Sequence, residues 1–239
     1  FTALGSGKAR FVGGCVRNAL LGREVADIDI ATQLSPQEVM EALNAANIKN
    51  IPTGLEHGTI TAVIEGRPIE ITSLRKDVAT DGRRAVVEYT QDWDLDAQRR
   101  DFTMNALYAD LCGTIYDPTG QGLNDLKAVK FRFVGNADDR VAEDYLRILR
   151  YFRFLAWYGA DAKLDAAALK ACREGKQGLK SLSAERVWSE IKKLLGAPDP
   201  SRILHIMLTN EILDVILPEA SNVEGLTHFI ELETRESLS

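Results

Sequence analysis

Asp27-Ile28-Asp29-Ile30 places two carboxylates two residues apart in an acid/apolar alternation. On a strand, residues two apart share a face, so Asp27 and Asp29 would point together and Ile28 and Ile30 into a core. Adjacent carboxylates repel unless a cation lies between them. A pair of divalent ions held there could clamp the attacking and leaving oxygens of a phosphoryl transfer. The triplet alone carries little weight, because a chain this rich in aspartate yields such triplets by chance, and a solvated strand face is the plain alternative. Asp92, Asp94 and Asp96 make a similar run without the apolar alternation, and we read them as uninformative. Glu70, in Pro68-Ile69-Glu70-Ile71-Thr72, offers a third carboxylate on a second predicted strand, and a solvent-facing sheet edge is its alternative.

Gly13-Gly14 lies between a predicted strand and a predicted helix, where bare backbone N–H groups could approach phosphate oxygens, with Arg17 one turn into the helix. A lone Gly-Gly is more often a simple turn. Arg99-Arg100-Asp101-Phe102-Thr103-Met104-Asn105 brings donors and an acceptor suited to ribose and phosphate, if Arg100, Asp101 and Asn105 share a helix face. It could equally be a helix cap with surface charge. From Glu143 to Phe154, Arg147, Arg150 and Arg153 recur every three residues among apolar side chains. That spacing winds around a helix, so some of these guanidinium groups must lie near buried surface and need partners. The candidates are acids of the same helix, or a triphosphate and a nucleobase.

The elements that must position these residues read as an α+β chain. Strands are expected at Arg10–Val12 and Ala26–Ala31, and a hairpin at Thr59–Ile64 and Pro68–Ser73. A helix is expected from Cys15 to Leu21, stopped by Gly22, and another from Ser35 to about Ala46, opened by the capping box Ser35-Pro36-Gln37-Glu38. Leu74 to Arg100 reads as a long polar loop and Asp101–Asp110 as a helix. Asp117 to Gly122 is a turn cluster that marks a boundary between subdomains. Beyond about Lys130, helical periods dominate: Asp138–Tyr158, Asp165–Glu174, Ser183–Leu195 and Pro200–Leu217.

The bulk numbers set outer limits. The 239 residues are 45% apolar and 27% charged, ordinary for a globular protein. No apolar run approaches the roughly 18–20 residues that span a bilayer, so no membrane partner is expected. Cys15, Cys112 and Cys172 are scattered, which fits a reducing compartment, taken as cytoplasmic, and argues against disulfides or zinc. Any metal must be held by oxygen, which suits Mg²⁺ or Mn²⁺. The net charge of −6 counts against nucleic-acid binding unless a local basic patch exists. Lys170, Arg173, Lys176 and Lys180 could form one, or simply a solvated helix face.

Taken together, the motifs resemble, in order across about residues 10–155, the class II tRNA nucleotidyltransferase and bacterial poly(A) polymerase family. Gly13-Gly14-Cys15-Val16-Arg17 looks like its phosphate motif and Asp27-Ile28-Asp29 its metal motif. Arg99-Arg100-Asp101-Phe102-Thr103-Met104-Asn105-Ala106 looks like its ribose motif, and Asp117-Pro118 through Asp125-Leu126 its hinge. Glu143-Asp144 with Arg147 and Arg150 looks like its base-recognition motif, and Ser183-Ala184-Glu185-Arg186-Val187 its neck. Asn18 departs from the family's usual Asp, and Gly120-Gln121-Gly122 from a Gly-Gly pair.

The resemblance implies a nucleotidyltransferase-type head with a small mixed β-sheet and flanking helices over residues 1–128. It further implies a helical neck for base recognition over 129–196, and the start of a shortened helical body over 197–239. The chain opens at Phe1, so an N-terminal piece is expected to be missing. The implied reaction is template-independent extension of an RNA 3′ end from CTP and ATP, with two Mg²⁺ ions. Catalysis falls to Asp27, Asp29 and Glu70, with the metal on the two aspartates. Nucleotide binding falls to Gly14, Arg17, Arg100, Asp101, Asn105, Asp144, Arg147, Arg150 and Arg153. Leu55-Glu56-His57-Gly58-Thr59 and the segment Asp77 to Arg84 look most like the branch that adds CCA to tRNA. Poly(A) addition is the second expectation, followed by a CC- or A-adding specialist and a weakly catalytic nucleotide-binding module.

Overall fold

A computed structural model of the chain describes residues 1–80, 85–159, 162–220, 224, 225 and 228. It divides into two compact units, Phe1–Ala128 and Val129–Ser239. Among the described residues, no helix is long and apolar enough to cross a membrane.

The first unit is built on a seven-stranded mixed sheet. Its strands are β1 (Ala9–Val12), β2 (Asp29–Thr32), β3 (Lys49–Gly54), β4 (Thr59–Ile64), β5 (Arg67–Ser73), β8 (Tyr108–Ala109) and β9 (Ile115–Tyr116), in the order β3-β4-β5-β2-β1-β8-β9. Among the described residues, only β2 and β5 pair in parallel, Ile30 opposite Ile71. Between β1 and β2 lies helix α1 (Gly14–Leu20), and between β2 and β3 helix α2 (Pro36–Ala45). The capping box that opens α2 forms as expected. The Glu38 N–H donates to Ser35 Oγ at 3.3 Å, and the Glu38 carboxylate accepts the Ser35 N–H at 2.7 Å. Leu4, Ala9, Ile30, Val39, Leu43, Ile60, Ala62 and Ile71 make one core between α2 and the sheet. Strand alternation therefore sends Arg10, Asp29, Ala31, Thr61 and Glu70 to the opposite face.

Three expectations for this unit are corrected. The strand at Ala26–Ala31 begins only at Asp29, and Ile28, expected in the core, is 39% exposed. The polar stretch 74–100 is not a loop. It holds the two-stranded hairpin β6 (Arg75–Thr80) and β7 (Ala85–Tyr89), then helix α3 (Trp93–Gln98), capped by Asp92 Oδ1 accepting the Asp94 N–H at 2.8 Å. Residues 81–84, in the Asp77–Arg84 segment, lie outside the described residues. The helix expected at Asp101–Asp110 is instead a bend, a short 3-10 turn (Thr103–Asn105) and strand β8. Helix α4 (Gly122–Lys127) follows β9 and closes the unit.

The second unit is helical: α5 (Ala137–Glu143), α6 (Leu146–Tyr158), α7 (Ala166–Gly175), α8 (Ala184–Leu195), α9 (Ser201–Thr209) and α10 (Leu213–Ile216). Two helices expected to be continuous are broken. Asp144 takes an extended conformation between α5 and α6. Glu211, with φ of 58°, ends the run that begins at α9.

Candidate active site

The parallel pairing of β2 with β5 sets Asp29 directly opposite Glu70. Both leave the sheet on the face away from the α2 core. Asp27, exposed and just ahead of β2, adds its charge to theirs. Burial pushes the Asp29 carboxyl above the usual aspartate range, Glu70 and Asp27 push it further, and Arg100 pulls it back. This carboxylate is thus ionised at a cost that a cation would relieve. Among the described residues, no three Asp, Glu, His or Cys side chains converge tightly enough to form a complete metal cage. The donors nonetheless fit Mg²⁺, which takes one or two carboxylates and completes its shell with water and substrate phosphates.

Beside these acids runs a cationic network. Arg17 is 6% exposed, and its Nη1 donates to Asn105 Oδ1 at 2.5 Å. Its Nε and Nη2 both donate to Asn18 Oδ1, at 3.2 and 3.0 Å. Asn105 Nδ2 donates in turn to Asp101 Oδ1 at 3.0 Å. The phosphate-motif and ribose-motif residues are therefore one connected set. Asn18, without the charge of the usual Asp, still holds the Nε–Nη2 edge of Arg17, and its own amide is fixed by the Glu24 carbonyl at 2.9 Å. The Thr103 hydroxyl donates to Asp125 Oδ2 at 2.7 Å, tying the same segment to the hinge motif.

Gly13 shows why the loop needs glycine. Its φ is +71°, and a Cβ there would lie 3.6 Å from both Arg100 Nη1 and the Asn105 carbonyl. Gly14 runs beside Arg17 Nη2. Gly58 has φ of +75°, and a Cβ would meet Tyr89 Cε1 at 2.7 Å. Leu55–His57 is a short 3-10 turn closed by Gly58 in the left-handed region, where the Tyr89 ring leaves no room for a side chain.

Asp96, set aside in the sequence, proves central. It is fully buried, and it binds Arg99 through Oδ1 and Arg100 through Oδ2. Burial pushes its carboxyl up, but the two arginines and the Tyr108 hydroxyl outweigh that and hold it down at about 2. The signal was present as acid-base pairs at i, i+3 and i, i+4, which become legible only once 93–98 is read as a helix.

In the second unit, Asp144 Oδ1 accepts the Leu146 N–H at 3.1 Å, and the carboxylate accepts Arg186 Nη2 at 3.2 and 2.9 Å. Arg147 Nη1 donates to Glu143 Oε2 at 2.6 Å and to the Arg140 carbonyl at 2.9 Å. Arg153 Nε donates to Glu190 Oε2 at 2.6 Å, and Arg150 lies 4.0 Å from the same carboxylate. Glu190 escaped the sequence reading, although it lies in register with Val187, Ile191 and Leu194 on the apolar stripe of α8. Of the proposed basic strip, Lys176 is paired with Glu211, and Lys170 lies 4.0 Å from Glu174.

The family model for the poly A polymerase head domain matches residues 9–132. A second model, described as a probable RNA and SrmB-binding site of polymerase A, matches residues 162–223. The mitochondrial CCA tRNA nucleotidyltransferase 1 of Danio rerio is 45% identical over 200 residues, 83% of this chain and 46% of the relative. A CCA-adding enzyme of Streptococcus pyogenes is 39% identical over 225 residues, 93% of this chain and 54% of the relative. The crystal structure of the Bacillus stearothermophilus CCA-adding enzyme in complex with CTP superposes with a TM-score of 0.77 at 36% identity, covering 85% of this chain and 48% of that one. The chain spans about half the length of the curated relatives it matches.

Proposed function

The chain belongs to the poly A polymerase head domain family, and on that premise we propose that it adds CCA to the 3′ end of tRNA from CTP and ATP. The observation that carries this reading is the register of β2 on β5, which pairs Asp29 with Glu70 beside Asp27 and Arg100. CCA addition is favoured over poly(A) addition by the relatives at 39–45% identity, which are named for it.

In the reaction, the RNA 3′-hydroxyl gives up its proton to water, its oxygen bonds to the α-phosphorus of the nucleotide, the bond to the bridging oxygen breaks, and pyrophosphate departs. Mg²⁺, when bound, lowers the pKa of that hydroxyl and neutralises charge on the leaving group. Asp27 and Asp29 would hold it, with the Glu70 carboxylate opposite Asp29 adding negative charge beside them. Arg17 and Arg100, fixed in advance by Asn18, Asn105 and Asp96, supply positive charge to the phosphates without reorganisation. Gly13-Gly14 lets the backbone approach them, and Asp101 with Asn105 orients the ribose. Asp144 and Arg147 read the base edge, since carboxylate and guanidinium offer acceptors and paired donors in fixed geometry. Arg186 and Glu143 hold these two in place. Arg153, held by Glu190 with Arg150 beside it, steadies the helix that carries Arg147. The scattered free cysteines fit a reducing compartment, and the cytoplasm is our proposal.

The test offers tRNAs ending before CCA, after C and after CC, plus an oligo(A) primer, with labelled CTP or ATP. Two C additions and then one A support the proposal. Long A tails would establish a poly(A) polymerase instead, and nucleotide binding without incorporation a binding module.

Two substitutions probe the assignment further. Asn18→Ala removes the Oδ1 that accepts two hydrogen bonds from Arg17 and should raise the KM for CTP about three- to tenfold, the scale of a lost charge-assisted hydrogen bond. Asn18→Asp, which keeps them, should stay within about twofold; equal effects of the two would refute the orienting role. Arg147→Ala should narrow the ratio of kcat/KM between CTP and ATP by about tenfold, the worth of one well-placed hydrogen-bonding group. An unchanged ratio in competition assays counts against base reading by Arg147.

A further inference from the structure

Asp96 is fully buried on α3, and a carboxylate so placed is costly unless it is paired. Its Oδ2 accepts Arg100 Nη2 at 2.9 Å, Arg100 Nε at 3.2 Å and the Tyr108 hydroxyl at 2.7 Å. Arg100 Nε also lies within 3.2 Å of that hydroxyl oxygen. The Nε–Nη2 edge of Arg100 is therefore held as a fork on one carboxylate oxygen, with a phenol as brace. Tyr108 is fixed in turn by Trp93, edge to face at 5.3 Å between ring centroids.

The opposite side of the same guanidinium behaves differently. Nη1 makes no hydrogen bond among the described residues and lies against the Gly13 backbone. The charge of Arg100 reaches Asp29. One arginine thus turns its satisfied edge to Asp96 and its third nitrogen to the space bounded by the glycine loop and the metal-type carboxylates.

We propose that Asp96 is a positioning residue, which grips one edge of Arg100 so that Nη1 is aimed at the phosphates of the incoming nucleotide. The inference rests on the nucleotidyltransferase reading and deepens it. An arginine side chain is long and its guanidinium turns readily, whereas a fork on a buried carboxylate fixes both its plane and its reach. A cation fixed before substrate arrives loses no orientation on binding.

The test is equilibrium binding of CTP to the full chain without RNA, in a double-mutant cycle. Asp96→Asn should weaken CTP binding about tenfold in the parent and less than about twofold in an Arg100→Ala background, because its effect passes through Arg100. A loss of the same size in both backgrounds would show Asp96 to be merely structural, and no loss in the parent would also overturn the proposal. If Asp96→Asn does not fold, Tyr108→Phe removes only the brace. Its expected loss is about two- to threefold, again absent with Arg100→Ala, and unchanged binding is the contrary result. Failure of the parent chain to bind CTP would likewise overturn the assignment. Binding of CTP without transfer to tRNA, by contrast, would sink the functional reading and leave the role of Asp96 standing.

Discussion

Asp29→Asn is expected to abolish nucleotide transfer while raising the melting temperature of the metal-free protein. The two effects have one cause. Asp29 sits opposite Glu70 and near Asp27, so its negative charge is useful only when a divalent cation joins the group. Asparagine keeps the shape and cannot supply the charge, and loss of such a preorganised ligand should cost on the order of 10³-fold or more in kcat. Stability moves the other way. Burial first, and then Glu70 and Asp27, place the folded carboxyl above its ordinary value of 3.8. Its ionisation therefore weakens the fold at neutral pH, and the penalty fades as pH falls through the raised folded value toward the unfolded one. Because the group is partly exposed, solvent screening keeps the gain small. Melts in a chelator at neutral pH and at about pH 4 would check the sign, with the gain shrinking in acid. Mg²⁺ should then stabilise the parent more than the variant. A variant that still turns over, or melts no higher than its parent in chelator, would remove Asp29 from the metal group.

Strand alternation in the sequence places the candidate site's carboxylates better than it places the elements around them. Glu70 was legible because Ile69 and Ile71 flank it, and the same alternation puts Ile71 in the α2 core. The candidate metal pair is half legible. Asp29 lies on β2, but the chain from Gly22 to Ile28 is exposed and outside any strand, so Asp27 is placed by a connection and not by alternation. The segment 74–100 reads as irregular backbone because its composition is polar, although Asp92 is an available N-cap for α3. That reading hides Asp96, whose meaning depends on helical spacing to Arg99 and Arg100. Asp101 and Asn105 do meet, yet across a bend and a 3-10 turn, not on a helix. In the second unit the arginine spacing foretold buried partners, but pattern alone could not choose between acids and a nucleotide. The break at Asp144 had no Gly or Pro to announce it. There Asp144 is extended, and its Oδ1 accepts the Leu146 N–H as α6 begins.

The choice of partner for Arg153 leads to the second large effect, on stability and not on catalysis. Glu190 is 5% exposed, and its carboxylate holds Arg153 from α6 at 2.6 Å with Arg150 at 4.0 Å. Arg153 also lies over the Phe154 ring at 4.4 Å, so its guanidinium is desolvated on more than one side. Glu190→Ala strands that charge. Breaking a buried pair typically costs about 3–5 kcal/mol, and since Arg153 retains some access to water the lower figure applies. For a chain of this size that corresponds to a fall of about 10 °C in Tm. Glu190→Gln, which keeps the volume and one acceptor, should fall by roughly half as much. The decisive variant is Glu190→Leu with Arg153→Leu. Replacing both charges by apolar groups removes the stranded ion, so the double variant should melt well above Glu190→Ala. If Arg153 instead owes its place to a nucleotide, Glu190→Ala would raise the KM for CTP while leaving the Tm within a degree or two of the parent. Thermal melts and KM on the same preparations separate the two, because a lost ion pair acts with or without substrate.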